Sequence, residues 1–386
     1  MIIKKASYAN FRNLSDVKID FTDGVNVLWG MNAQGKSNVL EGLYYFARGR
    51  SFRGVKDRDL VSFGEAAARI EIEFTRGEGA GVRLGAAIPV TGKKKLYRNG
   101  APLKGSAEML GNFKAVLFCP SHLSLVSGGP AERRQYLDIA IAQNSQAYIY
   151  YLSNYRRFLA ERNALLKRSA QGVSVSREEW ETYAEQLSVA ASEIYALREE
   201  YCRAVSDDVT TYFREMTRGR ETPCLRYTSQ MDGFVADDES VSADVKSETK
   251  EGLYQKLTSN IEREVAVGST LWGPHKDDVH ITLNGNEAKF FASQGQQRSL
   301  ALSMKLAEGE FSRRSSGEYP VFLLDDVFSE LDETRRRFIM ESLAGRQIIV
   351  TSCEPSVVPG GDFGDIAYFN VSGGKVSEAG GVADEK

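Results

Sequence analysis

The sequence has little cysteine and no apolar run long enough to cross a bilayer. Its four cysteines, Cys119, Cys202, Cys224 and Cys353, are widely separated and form no CxxC pair. This pattern disfavours a disulfide framework and favours a reducing, cytoplasmic location. Residues 1–5 are not followed by the apolar segment of a secretory signal, and no stretch approaches the roughly 18 apolar residues of a membrane helix. We therefore expect no membrane partner.

An excess of charge of either sign is also missing, because the net charge is only −3. That value argues against a polycation that coats nucleic acid, but a local basic surface would still be compatible with it. Proline is absent between Pro130 and Pro223, and helical periodicity dominates that region. At 386 residues, the chain can form one large domain or two ordinary ones.

The proline-free region predicts a helical arm. Its apolar residues alternate at spacings of three and four, as in the a/d seam of a coiled coil. These residues are Trp180, Tyr183, Leu187, Ala190, Ile194, Leu197, Tyr201 and Ala204. A second helix around residues 148–166 would pair with this seam in antiparallel fashion. The acidic, turn-rich segment 230–247 predicts an exposed loop.

Both ends of the chain show β/α patterns instead. Residues 67–119 are rich in alternating apolar positions. Residues 321–324 form a continuous apolar run, typical of a strand buried on both faces, and 346–351 repeat this pattern around the apolar residues 348–350. The end of the chain, 373–386, is mostly polar and glycine-rich, and its last residues are predicted to be mobile. We predict an α/β head made from residues 1–125 and 263–386, with the helical arm, residues 126–262, inserted between its halves.

A glycine-rich loop lies between the apolar run 25–29 and a segment with helical spacing. It matches GxxxxGK[ST] and comprises Gly30, Met31, Asn32, Ala33, Gln34, Gly35, Lys36 and Ser37. In this motif backbone N–H groups surround phosphates, the lysine reaches the β- and γ-phosphates, and the serine hydroxyl ligates Mg²⁺. A glycine turn before an ordinary helix is the alternative. The strand before the loop and the helix after it favour an ATP site.

A second candidate element is the apolar strand 321–324, which ends in Asp325 and Asp326. Such a strand places a carboxylate at the edge of a parallel sheet, where P-loop proteins hold Mg²⁺. We predict that Asp325 binds the metal and that Asp326 positions or activates the attacking water. Two solvated acids at a strand end are the alternative. The presence of Lys36 in the same chain favours the metal site.

A third candidate element, residues 293–298 (SQGQQR), opens another helix. A polar helix start with free N–H groups favours an anion. The simpler interpretation makes Ser293 an ordinary N-cap. From the residues alone the N-cap carries more weight.

The order of these three elements, followed by 327–332 (VFSELD), resembles the ABC-type ATPase heads of the SMC class. Three further segments resemble the RecF family, namely 8–14 (YANFRNL), 128–138 (GGPAERRQYLD) and 273–278 (GPHKDD). Together the motifs span nearly the whole chain in the family's order, and the length fits a head with a short arm. The resemblance implies an ABC-type (SMC-like) P-loop ATPase head with mixed β-sheets and an inserted helical arm.

The resemblance also implies a function. ATP would drive formation of a homodimer in which Ser293, Gly295 and Gln296 of one copy face the ATP of the other. Arg12 would approach the nucleotide phosphates, although a surface arginine fits the sequence equally well. The dimer would bind gapped DNA or single-strand/duplex junctions and act with RecR and RecO in loading RecA during recombinational repair and replication-fork recovery.

Three departures from the ABC pattern affect the expected chemistry. Asp326 stands where most such heads have glutamate, and its shorter side chain predicts slow hydrolysis. The last core strand runs into 351–353 (TSC), which lacks the usual histidine, and 117–122 (LFCPSH) contains no obvious Q-loop glutamine. The sequence does not indicate what replaces these two elements.

Basic residues cluster in three places that could contact DNA phosphates. We rank first the two clusters that contribute Arg50, Arg53, Lys93, Lys94, Lys95 and Arg98. The third lies on the arm and comprises Arg156, Arg157, Arg162, Lys167 and Arg168. Contacts of this kind would be salt-dependent and largely independent of sequence. Each cluster could also be a solvated face.

Two other classes of protein fit the motifs less well. An ATPase subunit of a transporter would need the usual LSGGQ in place of SQGQQ, and a nuclease would need a cluster of metal-binding acids that is not evident. His275 lies in the family-like segment 273–278, where a structural hydrogen bond is at least as plausible as catalysis.

Overall fold

The computed structural model describes residues 1–77, 79–219, 221–229, 243–358 and 363–379. The strands are β1 Ile2–Phe11, β2 Leu14–Asp20, β3 Val25–Trp29, β4 Ala67–Thr75, β5 Val82–Pro89, β6 Lys95–Arg98, β7 Ala101–Leu103, β8 Ala115–Phe118, β9 Pro223–Thr228, β10 Asp278–Leu283, β11 Asn286–Glu287, β12 Val321–Asp325, β13 Ile348–Ser352, β14 Ile366–Ser372 and β15 Lys375–Ala379. The helices are α1 Lys36–Arg48, α2 Ser106–Met109, α3 Pro130–Ala142, α4 Gln146–Ala170, α5 Arg177–Thr217, α6 Ala243–Ser259, α7 Ile261–Val267, α8 Ala288–Phe291, α9 Gln294–Ser316 and α10 Glu333–Ser342.

The chain divides into two compact units. The first comprises Met1–Ser124, Thr211–Arg220 and Arg298–Lys386, and the second comprises Leu125–Thr210 and Glu221–Gln297. The first unit contains two six-stranded sheets, ordered β2-β1-β4-β5-β6-β7 and β15-β14-β3-β13-β12-β8, and the second contains the sheet β11-β10-β9. The predicted α/β class with mixed sheets and an added helical part is confirmed.

The sheet around β3 positions the candidate nucleotide site. It is parallel from β14 to β8, and only β15 runs antiparallel at its edge. Its strands β12 and β13 are fully buried, which explains the apolar runs 321–324 and 348–350 within them. Because β3, β13 and β12 are adjacent and parallel, their carboxyl ends meet at one edge. The glycine loop and the acidic strand end therefore lie side by side.

The antiparallel sheet follows from alternation and turn chemistry. In strand β2, Val17 and Ile19 are buried, whereas Asp16, Lys18 and Asp20, which point to the other face, are exposed. Asn99 and Gly100 join β6 to β7 with φ angles of 50° and 81°, and Arg98 pairs with Ala101. These positive angles are the conformation that an Asn-Gly hairpin turn requires.

The second unit contains the predicted helix pair. Leu166 packs against Trp180 at one end, while the hydroxyl of Tyr148 accepts a hydrogen bond of 2.9 Å from Arg198 Nε at the other. These contacts join the end of α4 to the start of α5, and the start of α4 to the middle of α5. The two helices are therefore antiparallel, as the heptad pattern predicts.

Buried ion pairs hold the second unit together. Arg162 and Glu264 are fully buried and lie 2.6 Å apart, so Arg162 is not a surface cation as its basic cluster suggested. Arg133 forms a two-pronged pair with Asp278 at 2.7 and 2.8 Å. This pair joins the segments 128–138 and 273–278. Both segments thus have a structural role within one unit.

His275 also has a structural role. Its ring is 2.6 Å from the Tyr155 hydroxyl and 3.1 Å from the carbonyl oxygen of Thr270. Burial lowers the pKa of His275 to about 4. A neutral, hydrogen-bonded imidazole at this position supports the structural interpretation.

One secondary-structure expectation is wrong in part. Residues 243–247 begin helix α6 and are not a loop, whereas 230–242 lie outside the described residues. In the glycine-rich end, residues 375–379 form strand β15, which pairs with β14. The last residues, 380–386, for which mobility is predicted, lie outside the described residues. Within the described part of the chain, no helix is long and apolar enough to cross a membrane.

Candidate nucleotide-binding site

The glycine loop connects β3 to α1 through backbone conformations that favour glycine. Gly30 has a φ of +150°, and an added Cβ would lie 2.3 Å from the carbonyl oxygen of Val371. Gly35 has a φ of +121° at the start of α1. A side chain at either position would strain or displace the loop. The two fixed glycines of the motif therefore have a direct steric reason here.

The loop is braced from two sides by residues distant in sequence. The carbonyl oxygen of Gln34 accepts hydrogen bonds of 3.0 Å from Asn13 Nδ2 and from the Gly374 amide. The Gly373 amide also donates to Gln34 Oε1 at 2.6 Å. The turn after β1 and the turn after β14 thus hold the loop in shape before any ligand arrives.

Lys36 carries the positive charge of the loop. Its side chain is buried, and its ammonium donates to the carbonyl oxygens of Gly30 at 2.6 Å and Met31 at 2.8 Å. These bonds keep the charge against the loop, beside the N-terminus of α1. Both the charge and the free amides of the first helical turn favour a phosphate at this place.

The acidic strand end faces the start of α1. Asp325 is buried, and its carboxylate accepts hydrogen bonds from the hydroxyls of Ser37 and Thr351, the latter at 3.0 Å. Burial raises the pKa of Asp325, and these two hydrogen bonds oppose that shift. Ser37 and Asp325 thus present adjacent oxygen ligands, the type that Mg²⁺ prefers.

Mg²⁺ would need further ligands at this point. Among the described residues, no group of three or more His, Cys, Asp or Glu side chains could hold a metal ion. One serine and one aspartate fit a Mg²⁺ ion whose other ligands are substrate phosphates and water. In that arrangement the ion would neutralise charge on the phosphates.

Asp326 adopts an unusual backbone conformation next to the same edge. Its φ is 49°, in the left-handed region that residues other than glycine seldom adopt. Its amide donates to Thr351 Oγ1 at 2.9 Å, and its carbonyl oxygen accepts from Ser329 Oγ at 2.7 Å. These bonds fix the backbone at the point where Asp326 lines a pocket beside the glycine loop.

That pocket has a volume of about 400 Å³. Its lining residues all belong to the first compact unit and are Asn13, Asn32, Ala33, Gln34, Gly35, Lys36, Ser37, Asn38, Arg53 and Asp326. Six of them are predicted site residues on the glycine loop, and Asp326 is the predicted catalytic carboxylate. The sequence predicts no role at this site for three lining residues, Asn13, Asn38 and Arg53. It predicts instead that Arg53 contacts DNA.

Arg12, the neighbour of Asn13 in the chain, is not one of the described residues that line the pocket. Its guanidinium forms two 2.9 Å hydrogen bonds with the two carboxylate oxygens of the fully buried Glu41. Arg53 lies 3.5 Å from the same carboxylate and also donates to Asn38 Oδ1 at 2.9 Å. Arg12 is thus firmly anchored, whereas Arg53 is the arginine placed toward the phosphate pocket.

The second half-site lies in the other compact unit. Ser293 and Gln296 cap each other, because the Ser293 amide donates to Gln296 Oε1 at 2.6 Å and the Gln296 amide donates to Ser293 Oγ at 3.3 Å. Gln296 also donates to Glu221 Oε1 at 2.6 Å. This capping box fixes the start of α9, which contains Gly295. Ser293 is exposed, as are Phe290 and Phe291 just before it.

The two leading basic clusters are joined through Lys94. Its ammonium donates to the Gly49 carbonyl oxygen at 2.7 Å, pairs with Asp57 at 2.9 Å and lies 5.0 Å from the centre of the Tyr45 ring. Lys94 thus connects the β6 hairpin to the segment after α1. We call Arg50, Lys93, Lys95 and Arg98, all of them exposed, the basic surface.

Sequence reasoning missed three residues that the geometry singles out. Glu41 is an acid inside the buried face of α1, Arg53 follows α1 in a basic cluster, and Thr351 lies in a segment noted only for its missing histidine. Apolar spacing at positions next to Glu41 hinted that its side chain is buried. No local pattern could have shown that Glu41 and Arg53 meet.

A strand, a glycine loop and a helix beside an acidic strand end define the head of a P-loop ATPase. The RecF/RecN/SMC N terminal domain family matches residues 2–364. The chain is 35% identical over 376 residues to the DNA replication and repair protein RecF of Thermoanaerobacter pseudethanolicus, covering 97% of this chain and 99% of that protein. It is 34% identical over 377 residues to RecF of Clostridioides difficile, covering 97% and 98%. The chain belongs to the RecF family of SMC-like proteins.

Solved structures agree with this assignment. Two structures of the recombination mediator protein RecF in the RecFOR pathway, one with ATPrS and one with ATP, match with a TM-score of 0.89, 32% identity and 98% coverage of both chains. An Smc head bound to the C-winged helix domain of ScpA matches with a TM-score of 0.57 and 16% identity. The second likeness shows the SMC head fold alone.

Proposed function

We propose that this protein is an ATP-dependent switch that closes as a homodimer on DNA during recombinational repair. ATP would bind at Lys36 and Ser37 of one copy, with Mg²⁺ at Ser37 and Asp325. The exposed Ser293 of a second copy would complete the site, together with Gly295 and Gln296. The observation that carries the proposal is the presence of both half-sites, each with its backbone fixed, in one chain. The ATP and ATPrS structures of a 32% identical RecF support the choice of nucleotide.

Hydrolysis would open the dimer slowly. Asp326 is the proposed residue that orients the attacking water, and its short side chain reaches less far than glutamate would. Lys36 would stabilise charge on the transferred phosphoryl group. DNA would stimulate this weak ATPase. In this proposal ATP binding holds the dimer together, and its hydrolysis does not drive a reaction on another substrate.

The proposed partners follow from the family. The name of the pathway in the related structures supports cooperation with RecR and RecO, and we propose loading of RecA at gaps and junctions as the outcome. We keep the proposal of an ATPase head at 1–125 and 263–386 with an arm at 126–262. The two compact units differ from these bounds, because residues 211–220 belong to the first unit and residues 263–297 to the second. Four free cysteines support a cytoplasmic location.

The test of the proposal is DNA binding with and without ATP. Duplex, single-stranded and gapped DNA are compared at several salt concentrations, and the mass of the protein is measured in parallel. We expect ATP to produce a dimer and to raise affinity most for gapped DNA. Equal binding and equal mass with and without ATP would contradict the switch.

The basic surface gives a quantitative prediction. Replacing Lys93 and Lys95 together by alanine should lower the slope of log affinity against log salt by about 2, since each duplex phosphate contact contributes about 0.9. Titrations of duplex DNA at several salt concentrations measure the slope. The matched control removes two exposed lysines elsewhere in the first unit, Lys18 and Lys375. An equal loss in the control would mean that only net charge matters.

Arg53 gives a prediction at the nucleotide itself. Arg53→Ala should weaken ATP binding in the absence of DNA by about tenfold, because a hydrogen bond to a charged group contributes about 1.5–3 kcal/mol. Calorimetric titration with a non-hydrolysable ATP analogue measures the change. Arg50→Ala removes an exposed arginine three residues away and should leave this affinity unchanged. Unaltered affinity in Arg53→Ala would return Arg53 to the DNA candidates.

A further inference from the structure

The segment after β13 contacts both halves of the phosphate site. The carbonyl oxygen of Ser352 accepts a hydrogen bond of 3.3 Å from the Gly30 amide, and Cys353 Sγ lies 3.1 Å from Asn32 Oδ1. Thr351 contacts the two aspartates instead. Three consecutive residues therefore connect the glycine loop to the acidic strand end.

Thr351 lies where its hydroxyl can serve both aspartates. Strand β13 runs between β3 and β12, and Thr351 pairs with Leu28 on one side and with Asp325 on the other. The side chain is buried. Its hydroxyl donates to Asp325 Oδ1 at 3.0 Å and accepts from the Asp326 amide at 2.9 Å. One donor and one acceptor are thus both used.

The second of these bonds fixes a strained backbone. Asp326 has a φ of 49°, a conformation that an aspartate keeps only when its surroundings determine it. The Thr351 hydroxyl holds the amide at this point of the turn, and Ser329 holds the carbonyl oxygen. In an ordinary extended conformation, the Asp326 side chain would leave from a different direction.

We propose that Thr351 is the positioning residue of this site. Its single hydroxyl orients the Asp325 carboxylate toward Ser37 and holds the Asp326 backbone so that its carboxylate lines the pocket. This inference rests on the proposed ATPase function. It gives a role to the segment 351–353 after the last core strand, which lacks the histidine usual in ABC-type heads. Ser352 and Cys353 connect the same segment to the loop, so a change at the loop can reach both aspartates.

A valine at this position separates shape from hydrogen bonding. Thr351→Val keeps the branched outline but leaves the Asp326 amide without its acceptor and Asp325 without one donor. Thr351→Ser keeps both hydrogen bonds and loses only a methyl group. The two variants therefore bracket the role of the hydroxyl.

The experiment measures three quantities on the wild type and both variants. They are the single-turnover rate of ATP hydrolysis, the gain in ATP-analogue affinity on adding Mg²⁺, and the midpoint of thermal unfolding. We expect Thr351→Val to lower the rate by about 10- to 100-fold, as misplaced catalytic groups do, and to reduce the Mg²⁺-dependent gain. Thr351→Ser should stay within about threefold of the wild type in both.

Each outcome decides one point. Thr351→Val with wild-type rate and wild-type Mg²⁺ gain overturns the inference, as does Thr351→Ser with losses as large as those of valine. If the wild type does not hydrolyse ATP, the proposed ATPase activity fails, and the Mg²⁺ gain still tests Thr351. If Thr351→Val does not fold, Thr351→Cys, whose thiol bonds weakly, replaces it in the comparison with serine.

Discussion

Lys36→Met is expected to weaken ATP binding by about 10- to 100-fold and to remove ATP-dependent dimerisation. The ammonium of Lys36 is buried against the loop carbonyls and is the charge nearest to the expected β- and γ-phosphates. A hydrogen bond to a charged group contributes about 1.5–3 kcal/mol, which sets this range. Methionine keeps the unbranched apolar stem, one atom shorter, but offers no donor and no charge.

Calorimetry with an ATP analogue and light scattering with and without ATP measure the two effects. Lys18→Met is the control, because it removes an exposed lysine of the same unit outside the pocket. The control should bind and dimerise as the wild type does. Undiminished ATP affinity in Lys36→Met would refute the assignment of the loop. If Lys36→Met loses ATP affinity but still dimerises normally with ATP, the glycine loop does not control dimerisation.

Ser293→Arg is expected to abolish the ATP-dependent dimer while leaving ATP affinity of the single copy nearly unchanged. In the proposed dimer, Ser293 meets the nucleotide of the second copy, where a long cationic side chain would have no room. All the residues that line the candidate ATP pocket belong to the first compact unit, whereas Ser293 belongs to the second. Binding and dimerisation should therefore separate in this variant.

The control for this variant must account for the cap. Ser293 Oγ accepts from the Gln296 amide, and loss of an N-cap costs about 1 kcal/mol. Ser293→Ala removes the same cap without adding bulk, and Ser174→Arg adds the same bulk at an exposed site. Ser174→Arg should dimerise with ATP as the wild type does, and Ser293→Ala should dimerise more weakly than the wild type because it also lacks the hydroxyl. A dimer that persists in Ser293→Arg, or one that is lost equally in Ser174→Arg, would contradict a trans contact at this residue.

Sequence reasoning predicted the parts of the fold that depend on local pattern. The glycine loop, the strand before it and the apolar strand that ends at Asp325 follow from composition and spacing alone. Adjacent parallel strands then bring Ser37 and Asp325 together, as a general rule of sheet geometry requires. The heptad positions from Trp180 onward predicted α5, although the helix extends to Thr217.

Local pattern could not reveal the contacts that tertiary packing creates. Arg12 and Arg53 are both arginines near basic or motif-like segments, and only the fold shows that Glu41 anchors the first while the second lines the pocket. The sequence drew attention to the segment of Thr351 only because the usual histidine is missing there, and it indicated no role for Thr351 itself. Helix α6 begins inside an acidic segment because packing overrides its turn-rich composition.

The position of β3 in its sheet has a consequence for folding during synthesis on the ribosome. This strand is made early, but its two neighbours, β13 and β14, come from residues 348–352 and 366–372. The strand that carries the glycine loop therefore has no sheet partner until the ribosome has translated about nine-tenths of the chain. A nascent or C-terminally truncated chain should display the motif without being able to hold a nucleotide. Strands β13 and β14 must therefore be in place before the glycine loop has the sheet that positions it.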